Sequence, residues 1–417
     1  MTVSSRPARQ RGPAASGAAP APRVGLFGLL GSGNIGNDAS LDAVLGYLRS
    51  YQPDAVLDAM CMGSEQVRTR YGFGAIPLLW FQRYEERASG VTAAVLKALG
   101  KVIDPFRTAS WVRRHDVVIV PGMGVLEASV PLHPWGVPYT MFQLSASGRL
   151  FGTKVALVGV GAGVIRQPAT RWLLVQTARL AFYRSYRDAH SRDALRQQGV
   201  DTSADPVHPD LVFSLPSPPA AGSPETVGVG LMAYHGSNDD RKRGDEIYAS
   251  YIGSVESFIR WLLESGRRVL LFYGDAVDEP AVQQVLSDLR EYASDPGSPR
   301  LAAARVTSYA ELRQAMAPVG TVVATRYHNV ICALQLSKPT ISLGYAEKNV
   351  VLMEDMGLPE FCQHAGSIDV GKLIEQFTKL ESNADQVRTM LAERNADKAS
   401  LLESQFAAMD VLLFPGD

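Results

Sequence analysis

Arg326 and His328 stand two residues apart where the sequence pattern changes from strand to helix. Thr321, Val322 and Val323, just before them, are short, β-branched or apolar, which reads as a buried strand. Val330, Ile331, Leu334 and Leu336, just after, fall on or near one side of a short helix that must stop before Pro339. A helix N-terminus favours anions through its free N–H groups and its dipole. A permanently charged guanidinium and an imidazole that titrates near neutrality, set there together, suit an anionic substrate and a proton transfer. A second strand is expected over 340–343, and Lys348 follows it as a further cation for the same place.

Other residues with chemical potential sit at similar junctions. Arg187 and Asp188 follow a weak strand expected over 181–183 and precede a helix that contains Leu195 and ends at Gly199. Taken alone, they read as a structural ion pair. Gly122 and Gly124 form a turn after one apolar strand, and Gly159, Gly161 and Gly163 after another. Such turns serve either tight geometry or close backbone approach to a ligand. Glu127, just past the first turn, is a candidate carboxylate for a cleft. Gly31, Gly33 and Gly36 spell G-x-G-x-x-G, with Asp58 at the end of an apparent second strand, the pattern of a dinucleotide site. Two details weaken that reading. Leu29 and Leu30 separate the strand from Gly31, and Asp38 opens the helix with a carboxylate where a pyrophosphate needs N–H groups. A tight strand-to-helix turn with an acid in the first helical turn is the alternative.

These residues require a scaffold that brings several strand ends together. The chain has 417 residues, long for one core, so two domains are expected. Residues 1–22 are rich in Ala, Pro, Gly, Ser and Arg and contain no acid; they read as a disordered leader without the apolar stretch of a secretory signal. Strands are expected over 23–28, 55–57, 116–120 and 154–161, with Leu41, Val44, Leu45 and Leu48 marking the first helix and 80–115 largely helical. This first domain, 23–215, gives way to a Pro-, Ser- and Gly-rich linker, 216–226. The alternation restarts over 227–385, with strands at 227–232 and 268–273 and a helix at 251–263. A last segment, 386–417, reads as a long helix packing back across both domains. Alternating strands and helices argue for parallel, doubly wound sheets, whose ligands bind at the C-terminal strand ends. Two such domains in tandem enclose a cleft between facing strand ends. Trp80, Phe81, Tyr84, Trp135 and Tyr139 read mainly as core, with sugar stacking as the other option.

Composition removes other classes. A net charge of -1 provides no field for nucleic acid. No apolar run approaches the length of a membrane span. Cys61, Cys332 and Cys362 stand far apart and the seven histidines are scattered, so neither a disulfide framework nor a protein-held metal is expected.

An ordered set of short segments resembles the polysaccharide pyruvyl transferase family. It runs through Gly33-Asn34-Ile35-Gly36-Asn37-Asp38, Pro121-Gly122-Met123-Gly124, Gly159-Val160-Gly161, Arg187-Asp188 with Ser191, Pro209-Asp210, Arg326-Tyr327-His328, and Tyr345 with Lys348. The resemblance covers about residues 24 to 358 and departs in two places. Gly36-Asn37-Asp38 stands where the family commonly has Gly-Asp-Glu, and Gly122-Met123-Gly124 where it has three glycines.

The resemblance implies two Rossmann-like domains in a GT-B-like arrangement. It also implies transfer of the pyruvate group of phosphoenolpyruvate onto two hydroxyls of a sugar in a polysaccharide or glycolipid, giving a cyclic ketal and phosphate. The residues suit that chemistry. Arg187 and Arg326, with Lys348 and Gly161, are the expected binders of a donor that carries phosphate and carboxylate close together. His328 is the expected proton donor to the enol carbon, and Asp38 or Glu127 the general base. The loops of Gly33, Asn34, Gly122 and Gly124 are expected on the acceptor side. No cofactor beyond the co-substrate phosphoenolpyruvate and no metal is expected. The expected partners are that donor and a saccharide or glycolipid acceptor, without nucleic acid. The expected location is cytoplasmic, with peripheral contact at the inner face of the membrane if the acceptor is lipid-linked. A GT-B nucleotide-sugar glycosyltransferase, or a nucleotide- or sugar-binding protein without catalysis, are the alternative readings.

Overall fold

The computed structural model describes residues 20–85, 87–127, 134–216, 222–236, 238–293 and 300–415. Residues 1–19 of the expected leader and 217–221 of the expected linker lie outside them. Two six-stranded sheets dominate. The first contains β1 (Arg23–Gly28), β2 (Val56–Cys61), β3 (Gly74–Pro77), β4 (Val117–Pro121), β5 (Lys154–Val160) and β6 (Tyr183–Tyr186), in the order β3-β2-β1-β4-β5-β6. The second contains β7 (Ser223–Leu231), β8 (Arg268–Tyr273), β9 (Leu301–Ala303), β10 (Val319–Ala324), β11 (Thr340–Gly344) and β12 (Cys362–His364), in the order β12-β11-β10-β7-β8-β9. All neighbouring strands are parallel.

The apolar runs of β4, β10 and β11 are buried along their whole length, because helices cover both faces of a parallel sheet. Both sheets share one topology. The chain winds outward from the first strand of each sheet and then returns to its other side. The strand order therefore reverses between β1 and β4, and again between β7 and β10. A crevice opens at the carboxyl ends of the strands at such a point. The residues that lead away from β4, β6 and β10 are those singled out for chemistry.

Four expected boundaries shift. β2 extends through Asp58 to Cys61, because its ladder with β1 continues to Gly28. β6 begins at Tyr183, so Arg187 is the first residue beyond it. β7 begins at Ser223, inside the segment expected as linker, because Ser223 N–H bonds to the Pro318 carbonyl. The helix expected from 251 starts at Gly244.

The last helix, Ala384–Leu413, ties the two halves together. Asn395 donates to the carbonyls of Leu334 and Gln335 in the second half. Further along, Gln405 donates to Ser185 Oγ at 2.8 Å, and Asp410 accepts from Tyr47 and Gln52 at 3.0 Å, all in the first half. Phe406 stacks on Tyr47 with ring centroids 5.1 Å apart.

Candidate active site

Arg187 leaves β6 into the interior, with only 2% of its side chain exposed. Its guanidinium is paired with Glu127, lies 3.6 Å from Asp210 and 3.9 Å from Asp188, and sits 4.8 Å from the centre of the Tyr327 ring. Burial works against its charge, but Glu127, Asp210 and Asp188 more than offset that, so Arg187 stays charged. Glu127 also accepts from Lys348 Nζ at 3.1 Å, and that nitrogen lies 5.5 Å from the same Tyr327 ring. Tyr327 thus receives two cations, and Glu127 joins them. Burial pushes the Glu127 carboxyl up, yet Arg187 and Lys348 prevail and hold it at about 2. Gly161 belongs to this knot. A Cβ there would run into Glu127 Oε1 and lie 2.6 Å from Arg187 Nη2, so Gly161 supplies room for the pair.

Arg326 is the cap residue of the helix Tyr327–Gln335. Its guanidinium, expected to meet the donor, meets a carboxylate of the chain itself. Nε and Nη2 each donate to Asp278 at 2.7 Å in a two-pronged pair. Asp278 is fully buried and also accepts from the Ala233 N–H at 2.9 Å. Arg326 therefore fastens the loop after β10 to the loop after β8, and through Asp278 to the loop after β7, and its positive charge is balanced in place.

His328 projects from the same helix toward the first half of the chain. Its ring rests on Gly36, so closely that a Cβ at Gly36 would fall inside the imidazole. Nε2 is enclosed and makes no hydrogen bond with any described residue. Burial, together with Arg187, Lys348 and Arg326, pulls its pKa down to about 3, so the imidazole is neutral near pH 7 in the free protein. Gly36→Ala is expected to displace this ring and lower turnover by about 100-fold, the effect of moving a reacting group by an ångström. Steady-state kinetics beside a thermal melt check this; unchanged turnover would detach His328 from the chemistry.

The Gly36 side of this contact is built by the loop after β1. Asn34 caps the helix Ile35–Tyr51, accepting from the N–H groups of Gly36 and Asn37 at 3.1 and 3.3 Å. Its amide nitrogen donates to Asp275 Oδ2 at 3.0 Å, and Ile35 N–H reaches the Gly274 carbonyl. The helix start is therefore locked against the second half of the chain. Asp38 accepts from Gly31 N–H at 2.7 Å and lies 3.9 Å from Arg70, with its carboxyl pushed up by burial. Asp58 accepts from Trp111 Nε1 at 2.8 Å and is bonded to His115 Nε2 at 2.9 Å. The N–H groups and the acid that a dinucleotide needs are thus engaged by the chain's own side chains, which corrects that reading of the glycine pattern.

The two candidate bases, Asp38 and Glu127, line different clefts. Asp38 and Gly33 line one of about 620 Å³ that also includes Arg70, Arg305 and Thr307 from the two halves. Glu127 and Lys348 line another of about 200 Å³ with Ser191 and His190. Arg187, Lys348, Tyr327 and Asp210 border a third of about 340 Å³ that reaches Lys398 on the last helix. Gly122 has φ of +47°, and its missing Cβ makes room for Ser40 of the helix Ile35–Tyr51. A Cβ on Gly124 would stand 2.8 Å from the Glu127 carboxyl carbon. Both therefore shape the loop, whatever the acceptor. Among the described residues no three His, Cys, Asp or Glu side chains converge as metal ligands do.

Tyr327, Asp210, Asp275 and Asp278 were not singled out by type and spacing. Tyr327 lies between two flagged residues, and Asp210 within a matching segment, so those two had a signal. Asp275 and Asp278 follow β8 in a loop with no distinguishing pattern.

Residues 34–347 match the family described as polysaccharide pyruvyl transferase. A stretch of 102 residues is 26% identical to the amylovoran biosynthesis protein AmsJ of Erwinia amylovora, covering 24% of each chain. Among solved structures, the UDP-GlcNAc 2-epimerase of Neisseria meningitidis is similar at a TM-score of 0.57 and 11% identity, over 93% of this chain and 99% of that one. The epimerase of Methanocaldococcus jannaschii is similar at 0.56 and 10%, over 85% and 91%. The lipopolysaccharide outer core galactosyltransferase WaaB is similar at 0.53 and 10%, over 94% and 99%. These likenesses establish the GT-B-like fold and stop there.

Proposed function

The chain belongs to the polysaccharide pyruvyl transferase family, and on that premise we propose that it moves the enolpyruvyl group of phosphoenolpyruvate onto two hydroxyls of a saccharide or glycolipid. One observation carries the donor assignment. Arg187 and Lys348 are gathered on the Tyr327 ring by the single carboxylate of Glu127. A doubly cationic seat that already holds a carboxylate suits a donor with a carboxylate and a phosphate close together. The donor enters by replacing Glu127 as counter-ion.

The chemistry then follows from charge. The arriving phosphate opposes the cations that keep His328 neutral, and its pKa rises. His328 gives its proton to the terminal enol carbon, leaving positive charge at C2. The first sugar hydroxyl adds there and passes its proton to a base. The C2–O bond to phosphate breaks, and the second hydroxyl closes the ketal. One hydroxyl proton replaces that given to carbon, and the other leaves with phosphate. Glu127, freed from its cations, regains ordinary basicity and becomes the base for the hydroxyls. Asp38, which burial makes more basic, is the second candidate across the Gly36 contact.

Incubation with phosphoenolpyruvate and candidate saccharides, with released phosphate measured, tests the reading. Thermal stabilisation by UDP- or GDP-sugars and none by phosphoenolpyruvate would favour a nucleotide-sugar transferase instead. The mechanism also predicts that donor binding takes up a proton. His328 has a pKa of about 3 in the free protein and a higher one in the complex. Affinity is therefore favoured below the bound-state value and falls as pH rises through it. Calorimetry in buffers of different ionisation enthalpy should report uptake, and His328→Gln should abolish it. Zero uptake by the wild-type protein would remove His328 as the acid.

A further inference from the structure

The helix Gly90–Val112 is turned inside out. Its buried side carries Gly100, Asp104, Thr108, Trp111 and Val112. Its outward side carries Val91, Val95, Leu99, Val102 and Phe106, exposed by 80, 52, 48, 65 and 74%. Their spacing of four, four, three and four places them on one stripe, about 22 Å long at helical rise. A surface helix ordinarily shows the opposite arrangement. An apolar stripe of this extent marks a contact surface.

The charges around it identify the partner. Residues 90–114 contain Lys97, Lys101, Arg107, Arg113 and Arg114 and a single acid, Asp104. That acid is buried and paired with Arg107 at 2.6 Å. Arg113 continues the stripe seven residues beyond Phe106, while Lys101 and Arg114 flank it on opposite sides. In the sequence just before the helix, 83–87, two arginines are balanced by two glutamates. Beside the stripe, a groove of about 550 Å³ is lined by Ile76, Val102, Ile103 and Phe106 together with Arg83 and Arg114. Trp135, expected as core, is instead 61% exposed, and Lys101 Nζ donates to its carbonyl. Among the described residues no helix is long and apolar enough to cross a membrane. A basic helix with an outward apolar stripe and a neighbouring Trp has the make-up of a segment that lies in the membrane interface. A second copy of the chain fits less well, because a two-fold contact through this helix would set its basic residues against their own kind.

We propose that the outward face of the helix Gly90–Val112, with Trp135, docks this protein on an anionic phospholipid surface. Apolar side chains enter the acyl boundary, and Lys101, Arg113 and Arg114 on and beside the stripe meet lipid phosphates. The proposal stands apart from the reaction chemistry, since docking is read without turnover.

Co-sedimentation of the full chain with phosphatidylcholine vesicles, with and without phosphatidylglycerol, tests it. Binding is expected to the anionic vesicles and to fade at high salt. Val102→Glu with Phe106→Glu should weaken it at least about tenfold, and the thermal melt should stay unchanged because both sites are exposed. Lys101→Gln and Arg113→Gln should each weaken it about fivefold. Three results would overturn the proposal: no binding by the wild-type chain, equal binding by the double glutamate variant, or a wild-type dimer that this variant converts to monomer.

Discussion

Arg187→Ala is expected to abolish pyruvyl transfer and to cost about 3–5 kcal/mol of stability, the usual loss when one partner of a buried ion cluster is removed. The guanidinium is the cation shared by Glu127, Asp210 and Asp188, and it lies against Tyr327. Without it Glu127 keeps Lys348, whereas Asp210 remains fully enclosed with, among the described residues, only the Val212 N–H as a close partner. Burial already raises the Asp210 pKa, and losing Arg187 raises it further. A carboxyl whose folded pKa lies above its unfolded value binds more protons when folded. The folded state then gains stability as pH falls toward the unfolded value and loses it as pH rises. The deficit of the variant should accordingly be larger at pH 7 than at pH 5. Urea unfolding at the two values measures this, and an equal deficit would show that Asp210 is not the stranded group. Arg187→Lys keeps one charge but not the fork, so it should recover part of the stability and little of the transfer.

Arg326→Ala should destabilise by a similar amount, about 3–5 kcal/mol, for a different reason. It strands Asp278, which is fully buried and has lost a two-pronged partner. The loss of activity in this variant would then mix unfolding with chemistry, and a second variant separates them. Arg326→Met combined with Asp278→Asn removes both charges while an amide oxygen remains to accept the Ala233 N–H. That pair should regain most of the stability. If Arg326 also touches the donor, transfer stays lost in the refolded double variant and the KM for phosphoenolpyruvate rises. If transfer returns with stability, Arg326 is a clamp that positions the loops after β7, β8 and β10.

Both predictions depend on pairings that no local pattern announces. Arg326 and Asp278 are 48 residues apart, Arg187 and Glu127 60, and Lys348 and Glu127 221. Each residue was recognisable as charged and near a strand end. Which carboxylate balances which cation depends on the strand order within each sheet for the first two pairs, and on where the two sheets face each other for the third. The same holds for Asn34, whose turn chemistry was visible and whose bond to Asp275 spans 241 residues. The glycine pattern at Gly31, Gly33 and Gly36 shows the converse. Its spelling fitted a dinucleotide, but packing allots Gly36 to His328 and the neighbouring N–H groups to Asn34 and Asp38.

The sequence by itself determined the two parallel sheets, because continuous β-branched runs such as Val117 to Val120 can only be satisfied between covering helices. It also placed Arg187, Arg326 and His328 at strand ends, where such sheets bind ligands, and its ordered segments matched the family. Tertiary structure alone decided the state of those residues. Burial makes His328 neutral in the free protein, and enclosed carboxylates occupy the cations that the proposed donor would claim. It likewise decided which face of the helix Gly90–Val112 turns outward, since helical spacing defines a stripe but not the side on which the rest of the protein lies.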